Sequence, residues 1–121
     1  MSAVASILSI ILFLAFLTSG IQKVLFNPMA SQSAGHLGFS KSAFQRIGML
    51  EIAGGIAVMA GLTAKGASFW AILNEVAAGG LAITMGLAVY YHLREHDGFK
   101  VYAPAAGLGL VALLELIFRL V

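Results

Sequence analysis

Three glutamates lie inside long apolar stretches of this sequence: Glu51, Glu75 and Glu115. Hydrocarbon is a poor environment for an ionisable group, so each side chain needs a partner, a proton or a function. Polar contacts that fix helix packing are one interpretation, since such contacts are common between membrane helices. Proton carriage or a ligand cavity at Glu51 and Glu75 is a second, and binding of a lipid-soluble redox molecule such as a quinone is a third. The sequence leaves all three open.

Glu51 has a basic partner at a similar depth. With a rise of about 1.5 Å per residue, Lys23 lies about 5 Å and Glu51 roughly 13 Å from the same membrane face. A lysine side chain spans much of that difference, which predicts a Lys23–Glu51 pair with Gln22 as an extra donor. Arg46 is the competing partner or a headgroup anchor.

The other two glutamates lie nearer the opposite membrane face. Glu75 is about 12 Å from that face, beside Asn74 and near the midplane. Glu115 is followed at i+4 by Arg119, the favourable orientation for a pair on one helix. We therefore predict a structural ion pair between Glu115 and Arg119.

Histidines raise the question of a metal site. His92 and His96 stand at i and i+4, a spacing that can bind zinc or iron on a helix. However, Gly98 and the density of charge nearby indicate that the helix is ending, which favours hydrogen bonding at the interface. No metal site is predicted. The absence of cysteine excludes thiolate sites, disulfide relays and thiol catalysis by this chain. No catalytic residue is assigned.

Composition indicates an integral membrane protein whose surroundings are the lipid bilayer. The chain is 60% hydrophobic and 10% charged, against roughly 25% charged residues in soluble domains. Its seven Lys and Arg residues are scattered singly, so they form no nucleic-acid footprint.

Four stretches are long enough to cross a bilayer, which takes about 20 apolar residues in a helix. They run over about 3–26, 42–62, 67–93 and 101–121, and the first lacks the basic start and cleavage site of a signal peptide. We predict an all-α membrane protein, a four-transmembrane-helix bundle forming one domain over 1–121. Residues 27–41 are predicted to be a loop and 94–100 a charged turn on the same face, with both termini on the other side.

Three motifs resemble the DoxX-like family. The run from Phe16 to Phe26 resembles the F-x-x-x-G-x-x-K-L that ends the family's first helix. The run from Arg46 to Gly55 resembles its second-helix pattern of Arg, Gly and then Glu followed by small residues. Tyr91-His92-Leu93-Arg94 resembles the H-L-R that closes its third helix. By motif position, the family's shared polar residues are Gln22, Lys23, Arg46, Glu51 and His92, whereas Glu75 and Glu115 lie outside the pattern.

The resemblance implies a small membrane subunit of a redox complex, since family members are described as small subunits of thiosulfate:quinone oxidoreductase or partners of membrane oxidoreductases. We expect such a subunit in the cell membrane of a bacterium or archaeon, associated with redox subunits or with copies of itself. A quinone or lipid site is expected near Lys23, Arg46 and Glu51. No cofactor is expected on this chain alone, because it has no cysteine, haem pair or dinucleotide fingerprint. The ligand-binding candidates are Gln22, Lys23, Arg46, Glu51, Asn74, Glu75 and His92.

Two other function classes stay open at this point. Four spans and a midplane carboxylate are also features of small proton-coupled exporters, although those carry the glutamate in the first span, where this chain has none. A non-catalytic scaffold or assembly subunit, whose polar residues only specify helix pairing, is equally compatible with the sequence.

Overall fold

The computed structural model describes residues 3–64 and 68–120, and these residues form helices and turns with no strand. The helices are α1 (Ala3–Leu25), α2 (Pro28–Leu37), α3 (Lys41–Ala60), α4 (Phe69–Arg94) and α5 (Phe99–Leu120). All except α2 are long and apolar enough to span a membrane. The predicted all-α membrane fold with four transmembrane helices is confirmed.

The spans lie close to their predicted positions. α1 and α3 end one and two residues before the predicted ends at 26 and 62, and α5 begins two residues before 101. The N-terminal ends of α3 and α4 are fixed by serine caps, since Ser40 and Ser68 accept hydrogen bonds from the backbone N–H groups of Ala43 and Ala71. Positions 67 and 121, where two spans were predicted to begin and end, lie outside the described residues.

The predicted loop at 27–41 is wrong over most of its length, because ten of its residues form α2. Asn27 caps this helix by accepting a hydrogen bond from the N–H of Ala30, and Pro28 occupies its first turn, where a missing N–H is harmless. Gly38 ends it in the left-handed conformation, with φ of 85°. The buried residues Ala30, Ala34 and Leu37 share one helix face.

The four long helices form a closed ring in the order α1, α3, α4, α5, with each helix packed on its two neighbours. Their shared core includes Leu12, Phe16, Val58 and Leu81. α2 lies at one end of the ring, against α1 and α3. The outer surface is apolar, as expected of a lipid-facing bundle. Exposed examples on the four long helices are Ile7, Ile56, Ile83 and Leu110.

α1 and α3 come into close contact at two glycines, Gly20 and Gly48. A Cβ built on Gly48 would lie 2.7 Å from both the carbonyl oxygen of Gly20 and the Cβ of Lys23. Without side chains at Gly20 and Gly48, the two backbones come into direct contact, as small residues allow in membranes. This contact sets the distance between the polar side chains of α1 and α3, including Lys23 and Glu51.

Candidate functional site

Glu51 is fully buried between α1 and α3 and is the centre of the first polar cluster. Lys23 forms an ion pair with its Oε1, and the Ser19 hydroxyl donates to its Oε2 at 2.9 Å. Ser19 and Lys23 are four residues apart and therefore lie on one face of α1. That face meets Glu51 because the Gly20–Gly48 contact brings the two helices together. Both carboxylate oxygens are thus satisfied from α1.

Lys23 retains hydrogen-bonding capacity. Its ammonium carries three donors, and among the described residues only Glu51 accepts a hydrogen bond from it. The Nζ atom also lies 5.3 Å from the ring centroid of Phe44, within the range of a cation–π contact. Two N–H groups therefore remain for a ligand, while Glu51 supplies the counter-charge.

A second polar group, His36, His92 and Asp97, joins α2 to the turn between α4 and α5. Asp97 Oδ2 lies 2.7 Å from His92 Nδ1, and Asp97 Oδ1 lies 2.8 Å from His36 Nε2. His96 adopts the left-handed conformation, φ 59°, directly after α4. This folds the chain back so that the N–H of Asp97 reaches the carbonyl of His92 at 3.0 Å. The His92 ring is thereby oriented by Asp97.

The contribution of Asp97 to the stability of the fold depends on pH in a way that its contacts define. The hydrogen bond from His92, followed by that from His36, holds the pKa of Asp97 below its ordinary value of 3.8, against the opposing effect of burial. A carboxyl whose pKa is lower in the folded state stabilises the fold above its unfolded pKa. That stabilisation is lost as pH falls through the folded pKa, below 3.8.

Asp97→Asn is therefore expected to lower the melting temperature at neutral pH, and the difference from wild type should vanish below the ordinary aspartate range. Thermal unfolding in detergent, followed by circular dichroism across that pH interval, measures this. Glu95→Gln is the control, since Glu95 is more exposed and its contact with Arg94 is 3.8 Å long. A difference that persists unchanged into acid would contradict the assigned role of the Asp97 charge.

A cavity of about 680 Å³ lies between α2 and the four long helices. This volume is typical of small-molecule sites. Its wall is mostly apolar, with a few polar groups. The apolar lining includes Met29, Leu37, Phe39, Ile47 and Leu108. The polar lining comprises Ser19, Gln22, Lys23, Ser33, Thr84, Tyr91 and His92. This is the arrangement expected around a lipophilic molecule with a polar head.

The polar groups differ in what they offer a ligand. Lys23 is a charged donor whose position is fixed by Glu51. His92 uses Nδ1 on Asp97, which leaves Nε2 for a molecule in the cavity. When Nδ1–H donates to the carboxylate, Nε2 of the neutral ring is an acceptor. A shallower groove of about 310 Å³ between α4 and α5 is lined by apolar residues alone, such as Ala82, Gly86 and Leu110, and offers no such groups.

The structure brings together four of the predicted site residues and separates the others. Gln22, Lys23 and His92 line the cavity, with Glu51 directly behind Lys23. Three candidates lie elsewhere: Arg46, Asn74 and Glu75. Arg46 is exposed, and within the described part of the chain it makes no hydrogen bond or ion pair, so it does not compete for Glu51. Glu75 is half-buried and likewise has no such partner among residues 3–64 and 68–120.

Asn74 belongs to a separate buried cluster with Ser9, Glu115 and Arg119. Arg119 Nε lies 3.3 Å from Glu115 Oε1, and the Ser9 hydroxyl donates to the same oxygen at 2.7 Å. Asn74 donates to the carbonyl of Val58 at 2.7 Å. This cluster shares no residue with the cavity.

The sequence analysis did not identify several residues of the site, namely Ser19, Ser33 and His36. It also did not identify Asp97 as the hydrogen-bonding partner of His92. Ser19 carries a usable signal, because it stands four residues before Lys23 on the face predicted to meet Glu51. Asp97 stands five residues after His92, beyond the helix end, where a left-handed residue returns the chain. No group of three or more His, Asp or Glu side chains among the described residues is placed to hold a metal ion.

Comparison with known proteins identifies a family. The sequence model of the DoxX-like family matches residues 7–114, nearly the whole chain. No curated protein and no solved structure matches.

Proposed function

The chain belongs to the DoxX-like family, and we propose that it is a membrane subunit of a redox complex that binds a quinone in the cavity beneath α2. The complex would lie in the cell membrane. The observation that carries the proposal is the cavity itself. It combines an apolar wall with a fixed ammonium group at Lys23 and an oriented imidazole at His92.

The chemistry of a quinone suits these two groups. Its ring and tail are apolar, and its two oxygens need hydrogen-bonding partners when buried. Lys23 donates to one oxygen, while the contact with Glu51 holds the ammonium in place. In the reduced form, a quinol hydroxyl donates to His92 Nε2. Asp97 holds the His92 ring in the orientation that this contact requires.

The cavity is suited to a ligand that arrives from the bilayer. Leu50 and Leu87 both line it, yet they are 67% and 54% exposed on the lipid-facing side of the bundle. At the α2 end of the ring, the wall therefore opens laterally between α3 and α4. A hydrophobic tail would remain in the bilayer while the head group occupies the cavity.

Electrons must come from another component, since the side chains of this chain do not carry them. A partner subunit with flavin, haem or molybdenum would supply or remove them. Mass spectrometry of the gently solubilised native assembly tests this part of the proposal. We expect a stoichiometric redox partner or a retained quinone. A homo-oligomer that retains neither would overturn it.

A cavity-filling variant tests the binding site directly. Ala88 lines the cavity, so Ala88→Trp is expected to fill it and weaken binding of a short-tailed quinone analogue at least about tenfold, or about 1.4 kcal/mol. Ala53→Trp is the matched control, because Ala53 is exposed on α3 and is absent from the cavity wall. Titration followed by quenching of intrinsic fluorescence measures both affinities. Equal affinities for the two variants would contradict the assignment.

A further inference from the structure

The buried cluster of Ser9, Asn74, Glu115 and Arg119 lies outside the cavity, and the proposed function does not use it. The side chains of Ser9, Asn74 and Glu115 are completely buried. They belong to three different helices, α1, α4 and α5. A buried carboxyl at the meeting point of three membrane helices requires its own explanation.

Two buried acceptors of this cluster have no hydrogen-bond donor among the described residues. Glu115 Oε1 accepts from Ser9 and Arg119, but Glu115 Oε2 has no partner among the described residues. Asn74 Oδ1 also has none. Its amide nitrogen donates to Val58, which fixes the orientation of the amide and leaves Oδ1 as an acceptor. Two buried acceptors therefore lack a donor, and a buried polar group without a hydrogen bond destabilises a structure.

Arg119 does not supply the missing donor. It donates to the backbone carbonyls of Gly61, Leu62 and Ala64, just after α3. Carbonyls at the C-terminal end of a helix carry partial negative charge and favour a cation. Only Nε reaches Glu115, at 3.3 Å and on the oxygen that Ser9 already occupies. Much of the arginine charge is therefore balanced by the end of α3.

The described groups around Glu115 offer no other positive charge. α1 presents the Ser9 hydroxyl, and its cation Lys23 lies on Glu51. The turn after α3 contributes the backbone carbonyls of Gly61, Leu62 and Ala64. α4 presents Asn74 and, next along the chain, Glu75, which is itself acidic. Arg119 is the single cation in contact with the carboxyl in the described ranges.

We propose that Glu115 is a proton-binding site, holding an exchangeable proton on Oε2 whose O–H donates to Asn74 Oδ1. One proton then satisfies both unpaired acceptors and removes a formal charge from the hydrocarbon. Release of the proton leaves a carboxylate that competes for Arg119 with the carbonyls that follow α3. Proton binding is thus linked to how α5 docks against the end of α3.

Infrared difference spectroscopy of the full chain in lipid bilayers tests the proposal. At neutral pH we expect a carbonyl stretch from a protonated carboxyl, shifted in D₂O and absent in Glu115→Gln. Glu75→Gln is the matched control and should retain the band, since Glu75 is the other glutamate in this half of the bundle. Asn74→Leu should move the band to higher frequency, because the acceptor of the O–H is gone. A band that survives in Glu115→Gln, or that does not move in Asn74→Leu, overturns the assignment.

Thermal unfolding separates this proposal from a simple ion pair. Glutamine at position 115 presents an N–H donor in place of the protonated oxygen, so Glu115→Gln should keep the melting temperature of the wild type. Glu115→Leu, which removes every polar atom of that carboxyl, should lower it. A large loss in Glu115→Gln would show that the charged carboxylate is the native form.

Discussion

Replacing Glu51 with glutamine is expected to lower the free energy of unfolding by about 3 kcal/mol. Glutamine preserves the shape of the side chain and an acceptor for Ser19, but it removes the counter-charge of Lys23. Breaking a buried ion pair by removing one partner typically has an effect of about 3–5 kcal/mol. The lower end applies because the Lys23 side chain is 19% exposed, whereas Glu51 is fully buried.

Two controls isolate the charge effect. Glu75→Gln changes a glutamate that lacks an ion-pair partner in the described residues, so its effect should stay within about 0.5 kcal/mol. The double variant Lys23→Gln/Glu51→Gln removes both charges and should be more stable than Glu51→Gln alone, as expected for coupled neighbours. Reversible unfolding in mixed micelles measures all four proteins. Equal losses in Glu51→Gln and Glu75→Gln would contradict the ion-pair account.

Replacing Gly48 with alanine is expected to destabilise the bundle by about 1–3 kcal/mol, the usual range for overpacking. The added methyl would lie 2.7 Å from the Gly20 carbonyl oxygen and from the Lys23 Cβ. Both are held by the α1 backbone, so relief requires the two helices to separate. Separation would also move Lys23 away from Glu51, and quinone affinity should fall together with stability.

Gly80→Ala is the control for Gly48→Ala. No heavy atom lies within 4 Å of a Cβ built at Gly80, so that variant should unfold at or slightly above the wild-type midpoint because alanine favours the helix. Unfolding midpoints and quinone titrations on both variants test whether the Gly48 contact affects stability and quinone affinity. A Gly48→Ala protein with wild-type stability and affinity would show that the α1–α3 contact does not position the site.

Depth along the spans was sufficient to predict which polar residues could meet, but not which way they point. The depths of Lys23 and Glu51 in the membrane predict that they meet, and the structure places them in contact. Depth alone also allows Arg46 to compete for Glu51, yet five residues on a helix turn the Arg46 side chain by about 140° relative to Glu51. Arg46 is accordingly exposed. Helix phase relative to the neighbours is tertiary information that one sequence does not contain.

The missed helix α2 has a different cause. Its ten residues are rich in Ser, Gly and Ala, and composition of that kind suggests a loop. Local signals for a helix were nevertheless present: Asn27 before Pro28, apolar residues at 30, 34 and 37, and Gly38 at the end. The cavity beneath α2 follows from how all five helices pack, so neither its volume nor its wall could be derived from hydropathy.

Site-directed mapping of a bound quinone is the most direct test of the central claim. A short-tailed quinone bearing a photoreactive group is cross-linked to the protein in bilayers, and the labelled residues are identified by mass spectrometry. We predict labels on α2 and α4, at the cavity-lining residues Met29, Ser33 and Tyr91, that disappear when unlabelled quinone competes. Labels confined to lipid-facing residues such as Ile56 and Ile83, or labels insensitive to competition, would contradict a quinone site beneath α2.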